Sequence, residues 1–195
     1  MGSNELVQVC IDIDKLKTAV VGDRHYRDRV SCALAIRMAT AVPGEIPYVF
    51  DEIDFLEGIQ PSSATKAESG FKNKRLADFR KKHFFAPRRH YLKNLGVRWN
   101  LDRGGNSDLT TALEEVATHF GNDIERWPVE VGNRMSHGFV ERIGRLTGDW
   151  IVFAKHEGVN YYLDLALHSE GFDGEALYSK LRNGNVSEFP FLFGE

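Results

Sequence analysis

The residues best suited to chemistry lie on a predicted β-hairpin in the C-terminal part of the sequence. Asp164 and His168 are four positions apart, and in an extended strand this spacing places both side chains on one face. His156 lies in the turn that precedes this strand. A histidine beside a carboxylate can take a proton from a nucleophile and return one to a leaving oxygen. His156, Asp164 and His168 are therefore the candidate catalytic residues of a metal-independent nuclease.

The same three residues also fit a hairpin with no catalytic role. An antiparallel hairpin that packs one face on the core leaves polar residues on its other face, in contact with water. The sequence therefore leaves open whether the chain is an enzyme. If it is one, phosphodiester hydrolysis is the expected reaction class.

A second group of residues is suited to binding rather than to bond cleavage. Between Lys66 and Asn100 the sequence has eleven Lys or Arg residues against two acidic ones, a net charge of +9, although the whole chain carries −3. Such asymmetry within one chain indicates an anionic partner. The predicted nucleic-acid-binding residues are Lys72, Lys74, Arg75, Arg80, Lys81, Lys82, Arg88, Arg89 and Lys93.

The expected geometry supports this interpretation. Leu76, Phe79 and His83 have helical spacing, which predicts a helix over residues 71–83. Pro87 is suited to begin a second helix, which we expect to end at Gly96. Arg88 and Arg89 then fall in the first turn of that helix, where backbone N–H groups favour phosphate oxygens. Aromatic residues that could stack on bases lie among the charges, namely Phe84, Phe85 and Tyr91.

Two other interpretations account for the basic segment. Its cations can form a plain solvated surface or pair with the acidic remainder of the same chain, or they can dock an acidic protein partner. The leading prediction is a protein that binds nucleic acid, or another phosphate-bearing ligand, through residues 72–93. The nuclease and a protein-interaction or regulatory module are the alternatives.

The sequence predicts neither a metal nor a cofactor. Asp12 and Asp14 follow one predicted strand, and Asp51 and Asp54 follow another, so strand-end carboxylates could meet as oxygen ligands of Mg²⁺. Asp-x-Asp is a common pattern, however, and solvated surface acids are the favoured interpretation. None of the common glycine-rich phosphate loops or zinc-binding motifs is present.

The remaining pattern predicts an α+β fold. Alternation predicts a strand at 7–13, and a short strand is also expected at 46–50. β-Branched and aromatic residues on both sides of a turn predict the two hairpin strands. Helical spacing predicts helices over 27–41 and 107–120 and at later positions. We expect several amphipathic helices packed on a small, mainly antiparallel sheet that includes the C-terminal hairpin. Residues 1–195 are expected to form a single domain, with a possible internal boundary in the loop 58–70.

Composition agrees with a folded chain in the cytoplasm. Hydrophobic residues make up 42% of the sequence and charged residues 27%, which is ordinary globular usage. The longest apolar runs are far shorter than the roughly 20 residues that span a bilayer, so no membrane segment is expected. Two cysteines, Cys10 and Cys32, are too few for a disulfide framework. Nothing in the sequence indicates the oligomeric state.

Overall fold

A computed structural model describes residues 12–41 and 44–194. The described residues form seven α-helices and four β-strands. The helices are α1 (Ile13–Val21), α2 (Cys32–Thr40), α3 (Ile46–Leu56), α4 (Pro87–Trp99), α5 (Ser107–Phe120), α6 (Trp127–Val140) and α7 (Gly174–Asn185). The strands are β1 (Ser69–Gly70), β2 (Phe79–Phe84), β3 (Asp149–His156) and β4 (Val159–Ala166). They form one antiparallel sheet in the order β1-β2-β3-β4, which confirms the predicted α+β fold.

The predicted C-terminal hairpin is confirmed as the pair β3–β4. Glu157 and Gly158 connect the strands and have φ angles of 49° and 82°. Positive φ at both central residues is the geometry of a two-residue hairpin loop, because its twist matches that of the strands. Within β3, the residues from Asp149 to Ala154 are all buried.

The described residues fall into two compact units, each made of separate stretches of the chain. The first contains residues 12–41, 70–80 and 152–194. In it, α2 packs against α1, β4 and α7. Ser31 caps α2 and also joins it to β4, since its N–H donates to the carbonyl of Tyr162 (2.9 Å) and its Oγ to that of Leu163 (2.7 Å). Leu34, Met38, Phe153, Tyr162, Leu163 and Leu181 are among its fully buried side chains.

The second unit contains residues 44–69 and 81–151. In this unit α6 packs against both α4 and α5. Trp99 at the end of α4 is 4% exposed, and its Nε1 donates to the carbonyl of Met135 (3.2 Å). A Cβ at Gly138 would lie 2.4 Å from the Trp99 ring, so α6 needs a residue without a side chain there.

The helix predicted over residues 71–83 is wrong. A single 3-10 turn spans Lys74–Leu76, and β2 begins at Phe79. The stretch from Phe79 to Phe84 has phenylalanines only at its two ends, so its local pattern favours neither a helix nor a strand clearly. Pairing with the neighbouring strands decided between them, because a strand inside a sheet satisfies its backbone hydrogen bonds on both sides.

Other predicted elements need smaller corrections. The strand predicted at 46–50 is the first part of α3, since Val49, Phe50 and Ile53 have helical spacing and are buried. Helix α4 continues past Gly96 to Trp99 and ends at Asn100, whose φ is 54°. Most of the predicted strand 7–13 lies outside the described residues, and Ile13 begins α1 instead. The helix predicted at 27–41 begins only at Cys32 as α2.

Within the described part of the chain, no helix combines the length and the apolar character needed to cross a bilayer. The predicted single domain stays a prediction.

Candidate functional site

Lys82 is the centre of a buried polar cluster in the second unit. Side chains alternate along β2, so Lys82 shares a face with Phe84, and the lysine is fully buried. Its Nζ lies 3.0 Å from Glu52 Oε2. It also donates to Ser63 Oγ (2.8 Å), Thr65 Oγ1 (2.8 Å) and the carbonyl of Lys66 (2.6 Å). Four acceptors around one ammonium group satisfy all its donors.

This environment removes Lys82 from the predicted nucleic-acid-binding set. Burial lowers the pKa of Lys82 below its ordinary value, and the carboxylate of Glu52 opposes that effect only in part. The charge is matched by Glu52 and has no access to an external phosphate. The role supported by the contacts is structural: Lys82 fastens α3 and residues 63–66 to β2.

Asp149 is the centre of a second polar cluster, in which Asp149 and His90 are buried and the Arg89 side chain is 39% exposed. Arg89 hydrogen-bonds to Asp149, and its Nε lies 3.3 Å from Glu45 Oε1. His90 Nδ1 accepts from the N–H of Ala86 (2.9 Å), so its proton is on Nε2, which lies 3.3 Å from Asp149 Oδ2. Burial alone would raise the pKa of Asp149, but the His90 hydrogen bond and the nearby cations outweigh it and lower the pKa. Arg89 is thus also matched by acids of the same chain.

In the first unit, Lys72, Lys74 and Arg75 are exposed. Arg75 lies 3.5 Å from Glu175 Oε2, and its guanidinium is 3.9 Å from the centre of the Tyr178 ring. Among the residues that the structure describes, no carboxylate lies at ion-pair distance from Lys72 or Lys74. Two of the three cations therefore remain available to an external anion.

The other members of the predicted set lie on β2 and α4. Arg80 and Lys81 are half-buried, and Lys81 Nζ lies 4.0 Å from the centre of the Trp150 ring. Arg88 and Lys93 are exposed on α4. No carboxylate of residues 12–41 or 44–194 lies at ion-pair distance from either of them. Arg88 is in the first turn of the helix, as predicted, where the positive end of the helix dipole also lies.

The three candidate catalytic residues do not share an open polar face. Asp164 is buried on β4, with its carboxylate 2.5 Å from Arg37 Nε and 3.2 Å from Lys180 Nζ. His156 ends β3, where its ring stacks on Phe191. His168 begins a 3-10 turn after β4 and is not part of the strand. The expectation of a wet outer face on β4 is wrong, because α2 packs on this strand and Tyr162, Asp164 and Ala166 are all buried.

The strand-end carboxylates do not meet at a sheet edge. Asp12 caps α1 by accepting from the N–H of Lys15, and Asp51 and Asp54 lie on α3. Within the described residues, no group of three or more His, Cys, Asp or Glu side chains could hold a metal ion.

A cavity of about 390 Å³ opens in the second unit beside the Lys82 cluster. Glu52 and Ser63 belong to its wall, together with Tyr48, Asp51, Gln60, Phe85 and Phe139. It is a concave site of a size that suits a small ligand.

The sequence predicted Lys82 and Arg89 as cations of a binding surface, but it did not indicate which groups of the same chain contact them. Ser63 and Thr65 lie in a stretch predicted to be a loop, and Asp149 is 60 positions from Arg89. A signal exists only if residues 79–84 are taken as a strand, because Lys82 and Phe84 then share a face. A lysine on an apolar strand face requires a carboxylate partner, although the sequence does not indicate which one.

The chain was compared with protein-family models, curated proteins and solved structures, and none of them matches it.

Proposed function

We propose that the chain binds a polyanion, with nucleic acid as the expected class, through exposed cations of residues 72–93. The observation that carries this proposal is that Lys72, Lys74, Arg88 and Lys93 are exposed and have no carboxylate at ion-pair distance among the described residues. A cation that is not paired within the protein can contact a phosphate without breaking an internal ion pair. The release of condensed counterions from the nucleic acid then favours binding.

Fewer cations are available for binding than the charge count of the segment suggested. Lys82 is buried inside the fold, and the partly exposed Arg89 is already paired with Glu45 and Asp149. Arg88 is the best-placed residue, because an arginine in the first turn of a helix combines a guanidinium with the favourable end of the helix dipole. Each unit carries exposed cations of its own, Arg88 and Lys93 in the second and Lys72 and Lys74 in the first, so each pair can be tested separately.

The test measures the affinity for a labelled oligonucleotide by fluorescence anisotropy over a range of salt concentrations. We expect affinity to fall steeply with salt. The double variants Arg88→Ala/Lys93→Ala and Lys72→Ala/Lys74→Ala should each flatten the log–log slope by about one for every phosphate that the variant no longer neutralises. Arg103→Ala, an exposed cation outside the segment, is the matched control and should leave the slope unchanged.

Two results would overturn the proposal. Affinity that does not depend on salt would exclude contacts dominated by phosphates. Competition by an acidic polypeptide at the same concentration as the oligonucleotide would instead favour docking of an acidic protein. We expect no cleavage of the oligonucleotide, because the carboxylate of Asp164 is held by two cations and is not free to act as a base.

A further inference from the structure

The cavity of the second unit has a composition that selects for a particular charge. Three aromatic rings line it, from Tyr48, Phe85 and Phe139, and Ile143 and Leu146 add apolar surface. None of its lining residues is Lys, Arg or His. The cavity therefore combines an apolar wall with a polar side that carries no positive charge.

Asp51 supplies the available negative charge. It is exposed on α3, and its Oδ1 accepts from Gln60 Nε2 at 3.1 Å. Within the part of the chain that the structure describes, no cation lies at ion-pair distance from this carboxylate. Its second oxygen is thus available to a donor from outside the protein. A carboxylate with its charge unmatched attracts a cation more strongly than a neutral donor.

The other polar groups of the wall are already engaged. Glu52 is neutralised by Lys82. Ser63 Oγ donates to Glu52 (2.6 Å) and accepts from both Lys82 Nζ (2.8 Å) and the N–H of Thr65 (3.1 Å). With its proton and both lone pairs in use, this hydroxyl has none left to attack a substrate. The wall is therefore equipped to bind a ligand rather than to form a bond with it.

The aromatic rings favour the same kind of ligand as Asp51 does. The rings of Phe85 and Phe139 have centroids 5.6 Å apart and are tilted by 44°, and Tyr91 packs on Phe139 from outside the cavity at 4.7 Å. The faces of aromatic rings carry partial negative charge and attract ammonium groups. The same rings offer a large apolar surface for the apolar body of a ligand.

We propose that this cavity binds a small organic cation, a primary amine carried on an aromatic or branched apolar body. The ammonium group is expected at Asp51 and Gln60, and the apolar body against Phe85, Phe139 and Leu146. This site is independent of the exposed cations of residues 72–93, so either proposal can fail without the other.

The test uses three probes of similar shape and different charge: benzylamine, benzyl alcohol and benzoate. Each is titrated into the intact chain of residues 1–195 labelled with ¹⁵N, and backbone amide shifts are followed by NMR. Benzylamine is expected to shift the resonances of Gln60, Ser62 and Ala64. A hydrogen bond between two charged groups is stronger than one between a charged and a neutral group. The affinity of benzylamine should therefore be about tenfold above that of benzyl alcohol. Benzoate should not bind. Equal affinity for the amine and the alcohol would overturn the proposal.

Substitutions of cavity residues test whether benzylamine binds in this cavity. Asp51→Asn keeps an oxygen for Gln60 Nε2 but removes the charge, so the affinity for benzylamine should fall about tenfold. Phe139→Leu should weaken benzylamine and benzyl alcohol alike, because it removes a ring that both probes contact. Asp102→Asn, at an exposed acid outside the cavity wall, is the matched control and should change neither affinity. Unchanged benzylamine binding in a folded Asp51→Asn protein would contradict the proposed contact.

Discussion

Lys82 and Glu52 form an ion pair in which both partners are removed from water. Their side chains are 0% and 5% exposed. The cost of desolvating two charges offsets much of their attraction, so such a pair adds little net stability over an apolar pair of the same size. Loss of one partner is different, because it leaves the other charge buried and unmatched. The pKa of Lys82, lowered by burial, is consistent with this balance.

Lys82→Met is therefore expected to lower the free energy of unfolding by about 3–5 kcal/mol, measured by urea denaturation. The double variant Lys82→Met/Glu52→Gln should recover part of the loss, because it also removes the unmatched charge. Lys74→Met, the same change at an exposed residue, should stay within about 0.5 kcal/mol of the parent protein. A small effect of Lys82→Met would mean that Lys82 reaches water.

Asp164, like Lys82, was predicted to act in function but has structural contacts in the fold. Aspartate and histidine four positions apart on a strand could serve proton transfer, and this spacing is what makes both residues candidates in the sequence. In the folded chain the carboxylate joins β4 to α2 through Arg37 and to α7 through Lys180. Its contacts are those of a residue that holds three elements of the first unit together.

At the scale of elements, α4 is attached to residues 147–149 by its own polar side chains. Asn94 donates to the carbonyl of Thr147 (2.7 Å) and accepts from its N–H (2.9 Å). Arg89 and His90 bind the carboxylate of Asp149. Gly148 permits this approach, because a Cβ there would lie 2.9 Å from His90 Nδ1 on α4 and 1.8 Å from the carbonyl oxygen of Phe84 on β2. Polar pairing of this kind explains how a helix with little apolar character on its surface is held in place.

The lowered pKa of Asp149 predicts that the stability of the fold depends on pH. Its pKa in the folded chain is below the ordinary value of 3.8, so the folded protein binds this proton more weakly than the unfolded chain does. The ionised carboxylate therefore stabilises the fold above that ordinary value. The contribution is lost as the pH falls from there through the lower pKa of the folded state.

We expect Asp149→Asn to be destabilised by about 1–3 kcal/mol at neutral pH. The difference from the parent protein should shrink as the pH falls below the ordinary carboxyl range. Urea unfolding at a series of pH values measures both effects. Asp78→Asn, at an exposed acid, is the control and should show no comparable loss. A difference that stays constant at low pH would show that Asp149 does not act through its charge.

At the scale of the whole molecule, the basic segment is divided by the fold. Residues 70–80 belong to the first unit and residues 81–100 to the second. Acids from outside the segment match several of its cations: Glu52 binds Lys82, Glu45 and Asp149 bind Arg89, and Asp108 and Glu141 bind Arg98. The excess of +9 in the sequence therefore does not persist as one uniform surface.

The two units also interleave along the chain, and this predicts the effect of cutting it. A cut after Lys66 separates α2 from β4 and α3 from the rest of the second unit. Each fragment would expose surface that is buried in the intact chain. We expect neither residues 1–66 nor residues 67–195 to give a dispersed amide NMR spectrum alone. A dispersed spectrum from the longer fragment would mean that the loop 58–70 is a true domain boundary.

Short-range signals in the sequence were enough to predict several elements. The hairpin followed from β-branched and aromatic residues on both sides of a turn, the start of α4 from Pro87, and the extent of α5 from its apolar spacing. The place of Arg88 in the first turn of α4 followed as well, because Pro87 fixes where that helix begins. The choice of strand or helix at residues 46–50 and 71–83 did not follow, because these short stretches carry no decisive period and their packing partners are distant in sequence.

Which cations remain available for binding depends on contacts between residues that are distant in sequence. The charge of Lys82 or Arg89 is matched by acids that are distant in sequence, and their proximity arises from the packing of α3, α4 and β3. The same holds for the cavity, since Asp51, Phe85 and Phe139 come from three separate stretches of the chain. Residue types determine which interactions are possible, whereas the distances that realise them are set when the core packs.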